Sequence, residues 1–199
     1  MSVLTAFGVP YVMFTKHSHT TEALTAAWLL PIVPPITVAA VGSSMSSILL
    51  SQGRLRYSLT ILIASYIMDG VGLLIACGLM TIYFHRLALH HLPGREVIVS
   101  TFLPLGPCGQ GGYALVQLGV VASRLFPALR NADPANEQWN EMASVGFAMY
   151  GSGVVAGLLL WGLGIWWMFL AIVSVSSHYI GKTVTFNMYG FVSVAVMQG

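Results

Sequence analysis

Residues 142–177 read MASVGFAMYGSGVVAGLLLWGLGIWWMFLAIVSVSS, and no charged side chain interrupts them between Glu141 and His178. A helix needs about 20 apolar residues to cross the hydrocarbon core of a bilayer. This run exceeds that length, and three runs of the same kind precede it, at about Ala23 to Leu50, Ser58 to Phe84 and Val97 to Leu125. Short polar loops separate them. Ser51 to Tyr57 carries Arg54 and Arg56; His85 to Glu96 carries Arg86, His90, His91, Pro93 and Arg95; Phe126 to Glu141 carries Arg130, Asp133, Glu137 and Glu141. A loop with His178 and Lys182 leads to a last apolar stub, Thr183 to Gly199. The runs are continuously apolar and do not alternate at strand length, so a β-barrel is excluded. The expected fold is an all-α integral membrane protein, with about four full transmembrane helices packed as antiparallel hairpins and stubs at both ends. All of residues 1–199 belong to one transmembrane domain.

The whole chain agrees with its best run. Hydrophobic residues make up 56% and charged residues 7%, where a soluble domain carries about 25% charged residues. The net charge of +2 and the lack of a basic run give no footing for nucleic acid. Cys77 and Cys108 both lie in apolar stretches, so they read as small buried hydrophobes. No metal-ligand spacing occurs, and no metal or cofactor is expected. His17, His19, His85, His90, His91 and His178 all fall in loops or at helix ends, which argues against a haem held between mid-span histidines. Met1 to Phe14 is apolar but too short to span, and it lacks the basic start of a signal peptide. It reads as the tail of a helix. Alternating the loops puts Lys16, Arg86, Arg95 and Lys182 on one side and Arg54, Arg56, Arg124 and Arg130 on the other. The positive-inside rule therefore gives a tie.

Prolines divide the spans into two kinds. The first contains Pro31, Pro34 and Pro35, the third contains Pro104 and Pro107, and the second and fourth contain none. A proline in a helix removes an N–H and crowds the carbonyl four residues back. In lipid, such breaks are tolerated where the backbone faces protein or a water-filled cavity. The broken spans are also rich in small residues, Ala39 to Ser47 in the first and Gly106 to Gly112 in the third. Spans one and three are thus the expected lining of a pathway, with two and four as its outer wall. For any one Pro or Gly, tight packing is the competing explanation. Gly153 and Gly157, a GxxxG pair, read as helix packing. Asp69 is the carboxylate deep in a span; an intramembrane acid is costly and by default a functional candidate. It could carry a proton coupled to transport, or sit hydrogen-bonded within the bundle.

Two stretches resemble a known family. Thr101-Phe-Leu-Pro-Leu-Gly-Pro-Cys-Gly-Gln-Gly-Gly-Tyr113 is similar to the LGPxGQG stretch of fungal sulfite efflux pumps. These belong to the tellurite-resistance and dicarboxylate transporter family, within the superfamily of malic acid transport proteins and slow, voltage-dependent anion channels. Thr25-Ala-Ala-Trp-Leu-Leu-Pro-Ile-Val-Pro34 resembles the fifth helix of those pumps. The likeness runs from about Tyr11 to Asn187. It implies a ten-helix fold of which this chain covers helices five to eight, with remnants of four and nine, and in which odd-numbered helices line the pore. It also implies trimers, and a cytoplasmic position for Lys16, Arg86, Arg95 and Lys182. After Phe186-Asn-Met188 the chain departs from the family pattern, and Phe191 is not a safe equivalent of the family's gating phenylalanine.

The expected function is transport of a small anion, foremost sulfite efflux across the plasma membrane, with no covalent chemistry and hence no enzyme activity. Malate or another dicarboxylate is the alternative substrate. A non-transporting fragment that associates with full-length partners is the alternative of a different class. Candidate pore-lining residues are Pro31, Pro34, Ser43, Ser44, Pro104, Gly106, Gly109 and Gln110, with Gln110 donating to an oxyanion or to a neighbouring helix. The expected partners are the lipid bilayer, the anion and further copies of the chain.

Overall fold

A computed structural model of the chain describes residues 26–90, 98–134 and 137–179, with Leu4, Thr5, Gly8, Val9, Tyr11, Val12 and Thr15. The stub from Thr183 and residues Lys16, His17, His19, His91, Pro93, Arg95, Lys182 and Phe191 lie outside the described residues. All regular structure among the described residues is helical. Four helices form the fold: α1 Val33–Ser51, α2 Leu55–His90, α3 Leu105–Ala132 and α4 Glu137–Tyr179. Each is long and apolar enough to cross a membrane, with mean hydropathy from 1.3 in the third span to 2.1 in the fourth.

Pro34, Pro35, Pro104 and Pro107 start helices instead of bending them. A short 3-10 turn, Ala26–Leu29, precedes α1, and a second, Ile98–Phe102, precedes α3. Pro34 and Pro35 fall in the first turn of α1, where the missing N–H would have no intrahelical partner anyway. Pro104 is the N-cap residue of α3, and Pro107 lies in its first turn. Each broken span is therefore a 3-10 turn followed by a fresh helix start.

Three helices outrun the bounds expected from hydropathy. α3 continues through Pro127 to Ala132, and α4 begins at Glu137, so most of the stretch expected as a loop from Phe126 is helical. Leu125, Phe126 and Leu129 are buried there and pack with Trp139 and Met142. This packing against α4 carries the helix through Pro127 despite the ~3 kcal/mol cost of an internal proline. α2 likewise runs past Phe84, because Leu87 packs against the cluster of Tyr83 and Trp167. The turn from α1 to α2 closes at Gly53, whose φ of 73° is in the left-handed region that glycine adopts without strain.

α3 is the central helix, touching α1, α2 and α4. Its contact with α4 is the most extensive and is built on glycine. A Cβ at Gly119 would lie 2.8 Å from the Tyr150 Cα, one at Gly146 2.7 Å from the Ala122 carbonyl, and one at Gly153 2.6 Å from the Leu115 carbonyl. Gly157 lies against Gly112 and Val116. The GxxxG pair read from the sequence is thus part of a longer seam of close backbone approach. α1 and α2 are joined by a reciprocal pair: Ser46 Oγ donates to the Ser58 carbonyl and Ser58 Oγ to the Ser46 carbonyl, each at 2.8 Å. Tyr83 on α2 stacks on Trp167 of α4, with centroids 5.7 Å apart.

Candidate functional site

The helix start at Pro104 sets up an open groove. Leu105, Gly106, Gly109, Gln110 and Tyr113 line about 470 Å³ of space along the first turns of α3. Their spacing places them on one side of the helix. A Cβ added at Gly106 or Gly109 would meet nothing within 4 Å. These glycines therefore hold the floor of the groove low, whereas the buried Gly111 and Gly112 admit Leu73 and Gly157 at close range. Every lining residue belongs to one helix, so the groove is a shallow, largely open depression along the face of α3.

Backbone donors near this break are largely engaged. The Gly106 N–H donates to the Leu103 carbonyl at 3.0 Å, the Cys108 N–H reaches the Pro104 carbonyl at 3.4 Å, and Pro107 has no N–H. The groove's polar side chains are the exposed Gln110 amide and Tyr113, which is 48% exposed.

Of the residues singled out from the sequence, Gly106, Gly109 and Gln110 come together here. Pro104 is fully buried beside them as the cap. Pro31 and Pro34 are half-buried at the start of α1. Ser43 lies in the core and donates to the Ala40 carbonyl at 2.7 Å, while its neighbour Ser44 is on the exposed face of α1. Neither serine lines the groove.

Sequence reasoning passed over Tyr113 and Gln117. Gln117 is half-buried two turns beyond Gln110, and the same side of α3 continues through Val120 to the exposed Arg124. The signal was there as a seven-residue spacing of Gln110, Gln117 and Arg124. The other exposed helix faces are apolar: Ile63, Ile67, Leu74 and Ile82 on α2, and Leu158, Leu159, Ile165 and Phe169 on α4. Apolar faces suit lipid, and a polar one suits water or protein.

Asp69 sits elsewhere, in the middle of the buried stripe of α2 that runs through Leu62, Ser65, Ala76 and Met80. It is 1% exposed, and neither carboxyl oxygen has a hydrogen-bond partner. One turn to one side, Ser65 meets Gly42 of α1; one turn to the other, Leu73 meets Gly111 of α3. Asp69 thus lies at the junction of three helices and is not a groove residue. Cys77 and Cys108 are both free and pack in one apolar cluster, as small hydrophobes do.

The family profile described as voltage-dependent anion channel (SLAC1) matches residues 1–193. The sulfite efflux pumps SSU1 of Arthroderma benhamiae and Trichophyton rubrum are each 41% identical to the chain over 174 residues, covering 87% of this chain and 43% of the pump. The sulfite efflux pump SSU1 of Candida albicans is 29% identical over 129 residues, 63% of this chain and 26% of the pump. The chain spans less than half the length of these curated relatives. No solved structure matches it at a significant level.

Proposed function

The chain belongs to the voltage-dependent anion channel (SLAC1) family, and we propose that its helices form one wall of a pathway that carries sulfite out of the cell across the plasma membrane. The observation that supports this most is the groove on α3. It is an open, glycine-floored depression in a membrane span, and its side chains include the hydrogen-bonding Gln110 and Tyr113. Gln110 donates its amide N–H to a sulfite oxygen, and the absence of Cβ atoms at Gly106 and Gly109 leaves width for the ion. Selectivity then comes from pore width, hydrogen-bond donors and the local field. Nothing in this path requires covalent chemistry.

Asp69 carries the proton that couples to anion movement. Its burial among α1, α2 and α3 links it to the helix that bears the groove. Copies of the chain assemble, three together, as the family resemblance implies.

Growth of cells that lack their own sulfite pump tests the reading. Expression of the chain should restore growth on sulfite, and malate uptake in the same cells should stay at background. Normal membrane insertion with no gain in sulfite tolerance would remove the proposal.

A further inference from the structure

Sulfite selection by the groove leaves several polar side chains of the same helix unassigned, Arg124 among them. Arg124 lies on the line of Gly106, Gln110, Tyr113, Gln117 and Val120. At 3.6 residues per turn these positions share an arc about 100° wide. On one flank of that arc Gly111, Ala114, Leu118, Val121, Ala122 and Leu125 are buried; on the other, Gly112 and Gly119 are buried and Val116 and Ser123 are half-buried. Gln110, Tyr113 and Arg124 are exposed, and Gln117 and Val120 are half-buried. The open side of the central helix is therefore polar along most of its length, while the exposed sides of α2 and α4 are apolar.

The axial position of Arg124 matters as much as its face. It stands 14 residues beyond Gln110, about 21 Å along the axis, and eight residues before the helix ends at Ala132. Arg130, by contrast, is in the last turn of α3, where a cation also complements the helix dipole. Arg124 lies two turns inside that end, still within the apolar run. An arginine turned to lipid is costly, and the arc it occupies also carries Gln110, Tyr113 and Gln117.

We propose that Arg124 is a selectivity residue of the anion pathway: a fixed positive charge at the far end of the α3 groove line, which draws the anion along from Gln110 through Gln117. The inference rests on the anion-pathway reading and extends it to the opposite end of the span. A charge in a narrow, partly desolvated passage raises the local concentration of the opposite ion, and added salt screens it. Lysine preserves that charge. Glutamine removes it while keeping a polar chain.

Sulfite flux through proteoliposomes containing the purified chain tests this. Wild-type flux should saturate with sulfite and fall as ionic strength rises. Arg124→Gln should raise KM at least about fivefold and lose most of the salt dependence, with maximal flux changed less than about threefold. Arg124→Lys should keep KM within about twofold of wild type. In a chain carrying Cys77→Ala and Cys108→Ala, Arg124→Cys should regain flux when a cationic thiosulfonate restores the charge, and lose more with an anionic one. A saturating wild-type flux with the same KM and salt dependence in Arg124→Gln, and no charge-dependent change in Arg124→Cys, would overturn the inference and leave the anion pathway standing. A wild-type chain that passes no sulfite would take down that pathway and this role together.

Discussion

Gln110 and Asp69 are both polar side chains in membrane spans, yet their surroundings differ. Gln110 stands in an open groove with its amide available, while Asp69 is enclosed with two unpartnered oxygens. A hydrogen bond to a charged group is worth about 1.5–3 kcal/mol. Gln110→Leu should therefore lower sulfite flux at sub-saturating concentration by about tenfold or more, measured in proteoliposomes, with the thermal stability of the protein unchanged. Asp69→Asn keeps shape and volume but cannot release a proton near neutral pH. If Asp69 is the coupling group, this variant transports with a flat pH profile where wild type responds to a pH gradient. A wild-type pH response in Asp69→Asn would assign the aspartate to packing alone. The sequence marked both residues, because a glutamine and a carboxylate stand out in an apolar run. It also gave them different roles, Gln110 as a lining residue and Asp69 as a proton carrier, but not the side of its helix on which each stands, since that depends on helix rotation. The same limit applies to Ser43 and Ser44, where adjacent residues face core and exterior.

Glycine carries two meanings in these helices, and only packing tells them apart. Gly119 and Gly153 are pressed against backbone atoms of the neighbouring helix, at 2.8 and 2.6 Å from where a Cβ would sit. Gly151 and Gly162 on α4 would meet nothing within 4 Å. Gly119→Ala or Gly153→Ala should cost about 1–3 kcal/mol through overpacking, seen as a lower unfolding temperature in detergent. Gly151→Ala and Gly162→Ala should be neutral or gain up to about 1 kcal/mol from helix propensity. Equal effects at all four positions would contradict the seam between α3 and α4. The reciprocal Ser46–Ser58 pair offers a second check on the α1–α2 hairpin. A double-mutant cycle with Ser46→Ala and Ser58→Ala should return a coupling of about 0.6 kcal/mol, the usual size for such bonds in membranes. Four spans and their hairpin order were legible in the sequence, because about 20 apolar residues in a row admit little else. Their ends were less so. Hydropathy stopped α3 at Leu125, but Phe126 and Leu129 pack against α4 and carry the helix past Pro127.

At the scale of the molecule, the helices divide by what their open faces show. α2 and α4 present isoleucine, leucine and phenylalanine. α3, with most of its circumference buried, presents glycine, glutamine, tyrosine and arginine. Proline placement pointed to α3 as a lining helix, and the family to which the chain belongs conducts anions. The side of α3 proposed to line the pathway comes from packing, since only the structure shows which residues the other helices cover. Water access is thus the most direct test of the account. In a chain free of Cys77 and Cys108, Gln110→Cys and Leu158→Cys would each be exposed in native membranes to a membrane-impermeant anionic thiosulfonate, with and without sulfite. Gln110→Cys should be modified, and more slowly when sulfite is present; Leu158→Cys, on the exposed apolar face of α4, should resist modification. Equal resistance at both positions, or modification of Gln110→Cys that sulfite leaves untouched, would contradict an anion route along α3.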